Sequence, residues 1–135
     1  MSGTPAQRAA AACPCGSTRT YATCCDRYHA GPLRLQAPDA EALMRSRYSA
    51  FVRGLHDYLL ATWHVSTRPA DLEPDPPGLI WLGLEVRHCA QQDVDHATVE
   101  FVARSKLAGR ARRLHEVSRF VRQHGRWFYL DGKTG

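Results

Sequence analysis

The spacing of apolar positions changes once along the chain, from a helical period to a period of two. Asp39 precedes Ala40-Glu41-Ala42, so an N-capping carboxylate is followed by an acid in the first turn, and Gly54 stands where a left-handed cap would end a helix. Between them Met44, Tyr48, Phe51, Val52 and Leu55 recur at helical spacing, flanked by a strip of Leu43, Arg47 and Ala50. This predicts an amphipathic helix of about four turns. Asp57 is placed to cap a shorter helix carrying Tyr58, Leu59, Leu60 and Trp63, and residues 66–78, with four prolines and a closing Gly78, read as a connector.

Beyond Gly78 the alternation is that of strands. Ile80, Leu82, Leu84 and Val86 share one predicted face, with Trp81, Glu85 and Arg87 on the other, and Val99, Phe101 and Ala103 repeat the pattern. A third strand runs near Leu114 to Gln123, and His124-Gly125 is a two-residue hairpin turn into Arg126 to Leu130. That turn sets Val121 opposite Phe128, Phe120 opposite Tyr129 and Arg122 opposite Trp127. One face of the hairpin then carries Glu116, Ser118, Phe120, Trp127 and Tyr129, and the other Val117, Val121, Phe128 and Leu130. Both faces are partly apolar, so the second is expected to meet the N-terminal cysteine module, another subunit or a ligand. Helices followed by strands indicate an α+β domain.

Four of the five cysteines lie within thirteen residues, as Cys13-Pro14-Cys15-Gly16 and Cys24-Cys25. In a chain without an export signal such clustering favours a metal over disulfides. Four thiolates suit tetrahedral Zn²⁺ and close its shell, which makes the site structural. Pro14 and Gly16 let the first pair wrap a metal, whereas Cys24 and Cys25 share it only if the chain turns between them. The competing reading is a disulfide or redox pair, which adjacent cysteines form only with strained geometry. His29 is a candidate substitute ligand or outer donor, with a plain loop histidine as the simpler account. Cys89, alone in a predicted strand, is expected to act as a small buried apolar residue, with Arg87 on its face as the one nearby charge that would favour a thiolate.

Cys13-Pro14-Cys15-Gly16-Ser17, Tyr21 and Cys24-Cys25 resemble the SEC-C zinc motif, also found at the C-terminus of the translocation ATPase SecA. Further stretches extend the likeness: Tyr28-His29-Ala30-Gly31, Ala42 to Phe51, Thr62-Trp63-His64, Trp81 to Glu85, His115-Glu116, Ser118-Arg119-Phe120, and Gly125 to Gly132. Together they resemble the YchJ-like family over nearly the whole chain from residue 13. The resemblance implies a nuclear-transport-factor-2-like cone, a curved antiparallel sheet packed with helices, preceded by a small zinc-binding knuckle. Residues 1–12, a small-residue run with one Arg, are expected to be a flexible tail, and the resemblance divides the rest into a SEC-C-like module (13–35) and the cone (36–135). It implies no reaction.

Charge modifies this picture locally. The chain has 135 residues and a net charge of +5, with 16 Arg against 2 Lys. Residues 1–70 carry +4, residues 71–100 carry −6 and residues 101–135 carry +7, so the last third is the basic part. No apolar run approaches the roughly 18 residues of a membrane helix, and Met1 to Ala12 lacks the core of a secretory signal, so a cytoplasmic protein without membrane insertion is expected. Composition excludes collagen-like, coiled-coil and wholly disordered chains.

Candidate chemistry gathers on the face of Glu116, Phe120, Trp127 and Tyr129, with Arg47 and Trp63 from the helices, as a pocket or interface. His115 and Glu116 are neighbours on a strand and point to opposite faces, so they form no dyad. No catalytic residue is assigned. The leading expectation is a zinc-stabilised binding or adaptor protein with a protein partner at the zinc motif. The alternatives are a small-molecule ligand in the cone, with isomerase- or dehydratase-type acid–base chemistry, and RNA binding by Arg110, Arg112, Arg113, Arg122 and Arg126 beside stacking rings of Trp127 and Tyr129.

Overall fold

The structure, a computed structural model, describes residues 11–134. The expected tail therefore lies mostly outside the described residues. Ala11 and Ala12 belong to the cysteine module: Tyr21 N donates to Ala11 O at 2.8 Å, and Ala12 bridges to Thr20.

A 3₁₀ turn at Tyr21–Thr23 is followed by α1 (Asp26–His29), α2 (Ala40–Arg53), α3 (His56–Ala61) and four strands, β1 (Ile80–Asp93), β2 (His96–Leu107), β3 (Arg110–Gln123) and β4 (Arg126–Thr134). The strands form one antiparallel sheet in chain order, which needs only hairpin connections. α2 has the expected ends. Asp39 Oδ1 accepts from Ala42 N at 2.7 Å, and Gly54 at φ 69° returns its N–H to Ala50 and Phe51 carbonyls. Its burial is wider than one stripe, because Ser46 and Ser49 are buried along with Leu43, Met44 and Tyr48. The helix lies between the sheet and the cysteine module.

The second helix differs from expectation. Leu55, not Asp57, stands at its N-cap, and it ends at Ala61. Trp63 lies beyond it in a bridge to β4, with Tyr129 N donating to Thr62 O and His64 N to Tyr129 O, both at 2.8 Å.

His124 (φ 55°) and Gly125 (φ 75°) form the predicted turn, and the pairs Val121–Phe128, Phe120–Tyr129 and Arg122–Trp127 are in register. Beyond Tyr129 the register shifts, so Asp131 faces Arg119 and Leu130 is the extra residue of a bulge rather than part of an alternating face. A bulge also overturns the face assigned to β1. The register shift between Trp81 and Gly83 reverses the alternation, leaving Ile80 and Leu82 56% and 55% exposed while Trp81, Leu84 and Val86 pack on the core. Trp81 meets Tyr48 edge-on at 5.6 Å.

The core joins Leu43, Met44 and Tyr48 of α2 and Leu59 of α3 to Val99, Phe101, Phe120 and Trp127 on the concave side of the sheet. On the convex side, Val102 is fully buried between its cross-strand partners Glu85 and His115. Ion pairs His115–Glu100, Arg104–Glu85 and Arg119–Asp131 cover this side, while Arg122, the partner of Trp127 on the concave face, pairs with Asp95. The cysteine module, one expected cover for that face, sits instead against α2 and Leu84.

Candidate metal centre and cone cavity

Cys13, Cys15, Cys24 and Cys25 are all buried and unpaired by disulfides, and their sulfurs lie within 4.8 Å of one another. A tetrahedral site with metal–sulfur bonds near 2.3 Å has sulfur–sulfur edges of about 3.8 Å. The Cys15–Cys24 and Cys24–Cys25 separations are 3.6 and 4.0 Å, close to that edge and far from a bonded pair. The adjacent cysteines converge because the chain turns between them. Cys24 has φ −125° and ψ −115° at the end of the 3₁₀ turn, and Cys25 is already helical as the N-cap of α1.

Titration of the cluster points the same way. Thiol donation from Cys15, then Cys25, pulls Cys13 far below an ordinary thiol, while sharing with Cys13, then Cys15, pushes Cys25 far above it. The donor set therefore fits a soft or borderline tetrahedral ion, held by all four cysteines, which would cross-link the two cysteine pairs.

The module is bonded to the cone. Ser49 Oγ of α2 lies 3.5 Å from Cys13 Sγ and Arg45 Nη1 donates to Cys15 O at 2.8 Å, while within the module Ser17 Oγ is 3.0 Å from Cys24 Sγ. Gly16 combines φ 80° with a close approach, since a Cβ there would lie 3.2 Å from Leu84 O. Alanine at this position is both strained and crowded.

His29 is neither a ligand nor a loop residue. It is buried at the end of α1; its Nδ1 is 2.7 Å from Tyr21 OH and its Nε2 2.7 Å from Ser46 O. A carbonyl only accepts, so Nε2 carries the proton and Nδ1 accepts from tyrosine. Burial lowers the pKa of His29 and raises that of Tyr21 to about 12, which keeps both neutral. Because folded His29 resists protonation, the unfolded chain takes up the proton first as pH falls. Its contribution is complete above the unfolded pKa of about 6.5 and is lost below it, at a limiting slope of about 1.4 kcal/mol per pH unit. The stability difference between wild type and His29→Gln, measured by urea unfolding, should shrink as pH falls from about 7.5 to 5.5. A constant difference would refute the neutral-histidine assignment.

A cavity of about 250 Å³ opens on the concave side of the sheet, and Arg47, Trp63, Glu116 and Tyr129 line it. Phe120 and Trp127 do not. They are 1% and 6% exposed and pack in the core, with Phe120 edge-on to Tyr129 at 5.8 Å. Tyr48, Phe51, Trp81, Phe101 and Ser118 complete much of the wall. Sequence reading missed Trp81 because its face depends on the bulge.

Arg47 is buried between rings, its guanidinium carbon 4.4 Å from the Tyr129 centroid and 5.1 Å from that of Trp63. Its Nη1 donates to Leu59 O at 2.8 Å and Thr62 Oγ1 at 2.7 Å. Burial lowers its pKa to about 10, so it stays a cation at neutral pH. Glu116 Oε2 accepts from Ser118 Oγ at 2.7 Å. Burial first, and the Glu116 carboxylate second, raise Tyr129 to about 12. His115 points the other way and meets Glu100 at 2.7 Å.

Two further expectations need correction. Cys89 is exposed, 3.5 Å from Glu41 Oε1, and desolvation followed by that carboxylate raises its pKa to about 11, while Arg87 turns to Glu85. It is a poor nucleophile. Arg110, Arg112 and Arg113 are exposed at one end of the sheet, but the Trp127 ring is buried, so this ring offers nucleic acid no stacking surface.

Comparison with known proteins gives two family matches: the YchJ middle NTF2-like domain over residues 39–132 and the SEC-C motif over residues 11–27. A UPF0225 protein of Bordetella parapertussis is 64% identical, covering 90% of this chain and 92% of the relative. One from Methylibium petroleiphilum is 66% identical over 95% and 92%. Among solved structures, a SEC-C motif containing protein from Rhodopseudomonas palustris superposes with a TM-score of 0.79 at 32% identity, covering 91% of this chain and 98% of that one. Another from Psychrobacter arcticus gives 0.79 at 29% identity over 96% and 85%. No helix among the described residues is long and apolar enough to cross a membrane.

Proposed function

The chain belongs to the YchJ-like family of UPF0225 proteins, and from that premise we propose that it is a zinc-stabilised binding protein, the metal structural and the work recognition of a protein partner. The observation that carries this reading is the sulfur cluster. Four buried thiols within 4.8 Å fill a tetrahedral shell and leave no position for water or substrate. Zinc is the assigned ion because an S₄ shell suits it and its role here needs no redox change. In a reducing cytoplasm, where we place the protein, such a site also outlasts a disulfide.

Recognition is assigned to the surface beside the module. An open cleft there is lined by Ser17, Arg19, Arg27, Asp39, Glu41 and Arg45, and its charges of both signs suit a charged peptide segment more than an apolar metabolite. Arg19 is exposed and makes no ion pair among the described residues, so it is the natural residue to reverse.

The test combines metal analysis with affinity capture from cytosol. One equivalent of zinc, and a captured protein released both by chelator and by Arg19→Glu, would support the reading. Capture indifferent to both would remove the partner from this surface. Turnover in a substrate-library screen that is abolished by Glu116→Gln, His115→Ala or Cys89→Ser would replace the binding protein with an enzyme.

A further inference from the structure

The cone contains a buried cation that makes no contact ion pair among the described residues, with Glu116 the acid that acts on it across the cavity. Arg47 is 3% exposed, yet among the described residues no carboxylate lies within ion-pair distance of it, and its only hydrogen bonds are made by Nη1. A desolvated ion in this state is strongly unfavourable, and where packing alone matters an apolar side chain serves better. Holding the end of α3 through Leu59 O and Thr62 Oγ1 occupies one nitrogen of three. The planar fork that distinguishes arginine from lysine is left open.

A second donor in the same wall is also unused. Trp63 Nε1 is buried with no hydrogen-bond partner among the described residues, and its ring lies 5.1 Å from the Arg47 guanidinium carbon. Arg47 and Trp63 thus share the wall of a cavity of about 250 Å³ whose other walls include the flat rings of Tyr48, Trp81 and Phe101. Pockets for drug-sized ligands run to roughly 300–1,000 Å³, so this one suits a molecule of single-ring size. The acids at the cavity are already engaged, Asp75 Oδ2 by Trp81 Nε1 at 3.0 Å and Glu116 Oε2 by Ser118 Oγ at 2.7 Å. Glu116 retains its other oxygen as an acceptor.

We propose that the cone cavity binds a small aromatic carboxylic acid, its carboxylate on the open fork of Arg47 with Trp63 Nε1 as a second donor, and a ligand hydroxyl directed to Glu116. A carboxylate satisfies the fork bidentately and neutralises the buried charge. The ring replaces water along the aromatic walls. This inference uses none of the residues of the metal module or of the cleft beside it, so the two readings fail separately.

The test is a titration of the metal-loaded full chain, followed by amide and indole NMR shifts, with 4-hydroxybenzoate, benzoate and the neutral 4-hydroxybenzyl alcohol. The acids should saturate with a Kd of about 1 mM or tighter and move the Trp63 indole resonance, while the alcohol binds at least about tenfold more weakly. Arg47→Met should lose that preference for the acid. Trp63→Phe keeps the ring without the N–H, and should weaken 4-hydroxybenzoate severalfold even if Arg47→Met fails to fold. Absence of saturable shifts from both acids below about 10 mM, equal binding of acid and alcohol, or wild-type affinity in Trp63→Phe would each overturn the proposal.

Discussion

Replacing Cys24 with serine, or stripping the metal with a chelator, is expected to unfold residues 11–29 and to loosen α2 as well. The binding free energy of a structural zinc is folding free energy, roughly 10–16 kcal/mol in zinc-finger peptides, and most of the module's other contacts form only once the sulfurs converge. The effect does not stop at the module. Tyr28 belongs to the main core, His29 holds Ser46 O, and Ser49 faces Cys13, so losing the module exposes one side of α2. A loss of about 3 kcal/mol or more is expected in the cone itself, which lowers Tm by roughly 10 °C. Metal content, thermal unfolding and amide shifts of residues 40–53 check this together. A Cys24→Ser chain that keeps its metal and its Tm would remove the structural role. Unfolding confined to residues 11–29 would show the module to be separable.

Phe120→Ala is expected to cost about 3–5 kcal/mol, the range for deleting a fully buried ring. Phe120 is 1% exposed, sits opposite the small Ala97, and supports Tyr129, whose ring in turn covers Arg47. The loss therefore includes a cavity that the rigid sheet cannot close. Val117, three residues earlier on the convex side and 37% exposed, provides the contrast, and Val117→Ala should stay within about 0.5 kcal/mol. Urea unfolding of both variants measures the difference. Equal losses would mean that the face assignment of β3 is wrong.

The cysteine cluster was largely legible because its information is local. Residue type and spacing at Cys13, Cys15, Cys24 and Cys25 specify a thiolate cluster, and the required turn between Cys24 and Cys25 is a short-range backbone event. The cavity was legible only in part. Arg47, Trp63, Glu116 and Tyr129 were placed near one another by helical spacing and hairpin register, and they do share a wall. Phe120 and Trp127 were grouped with them because alternation assigns a face but not a depth, and their rings fill the core. Trp81 was missed, and Ile80 and Leu82 misplaced, because one inserted residue reverses the phase of a strand without leaving a mark in composition.

What the sequence by itself determined are the features whose causes lie within a few residues. These are the Asp39 cap and Gly54 stop of α2, the His124-Gly125 turn with the pairing it imposes, and the cysteine spacing. Capping groups, positive φ and short ligand loops act over one turn of chain, so the residues that need them can be read in place. What only the tertiary structure decided are the features set by packing between distant segments. His29 became a buried link because Tyr21 and Ser46 meet it from two sides, and Cys89 stayed exposed beside Glu41. Arg47, on a flanking strip of its helix, became a buried cation because Trp63 and Tyr129 were bridged across it from β4. Burial and electrostatic environment depend on what arrives from elsewhere in the chain, and no local pattern encodes that arrival.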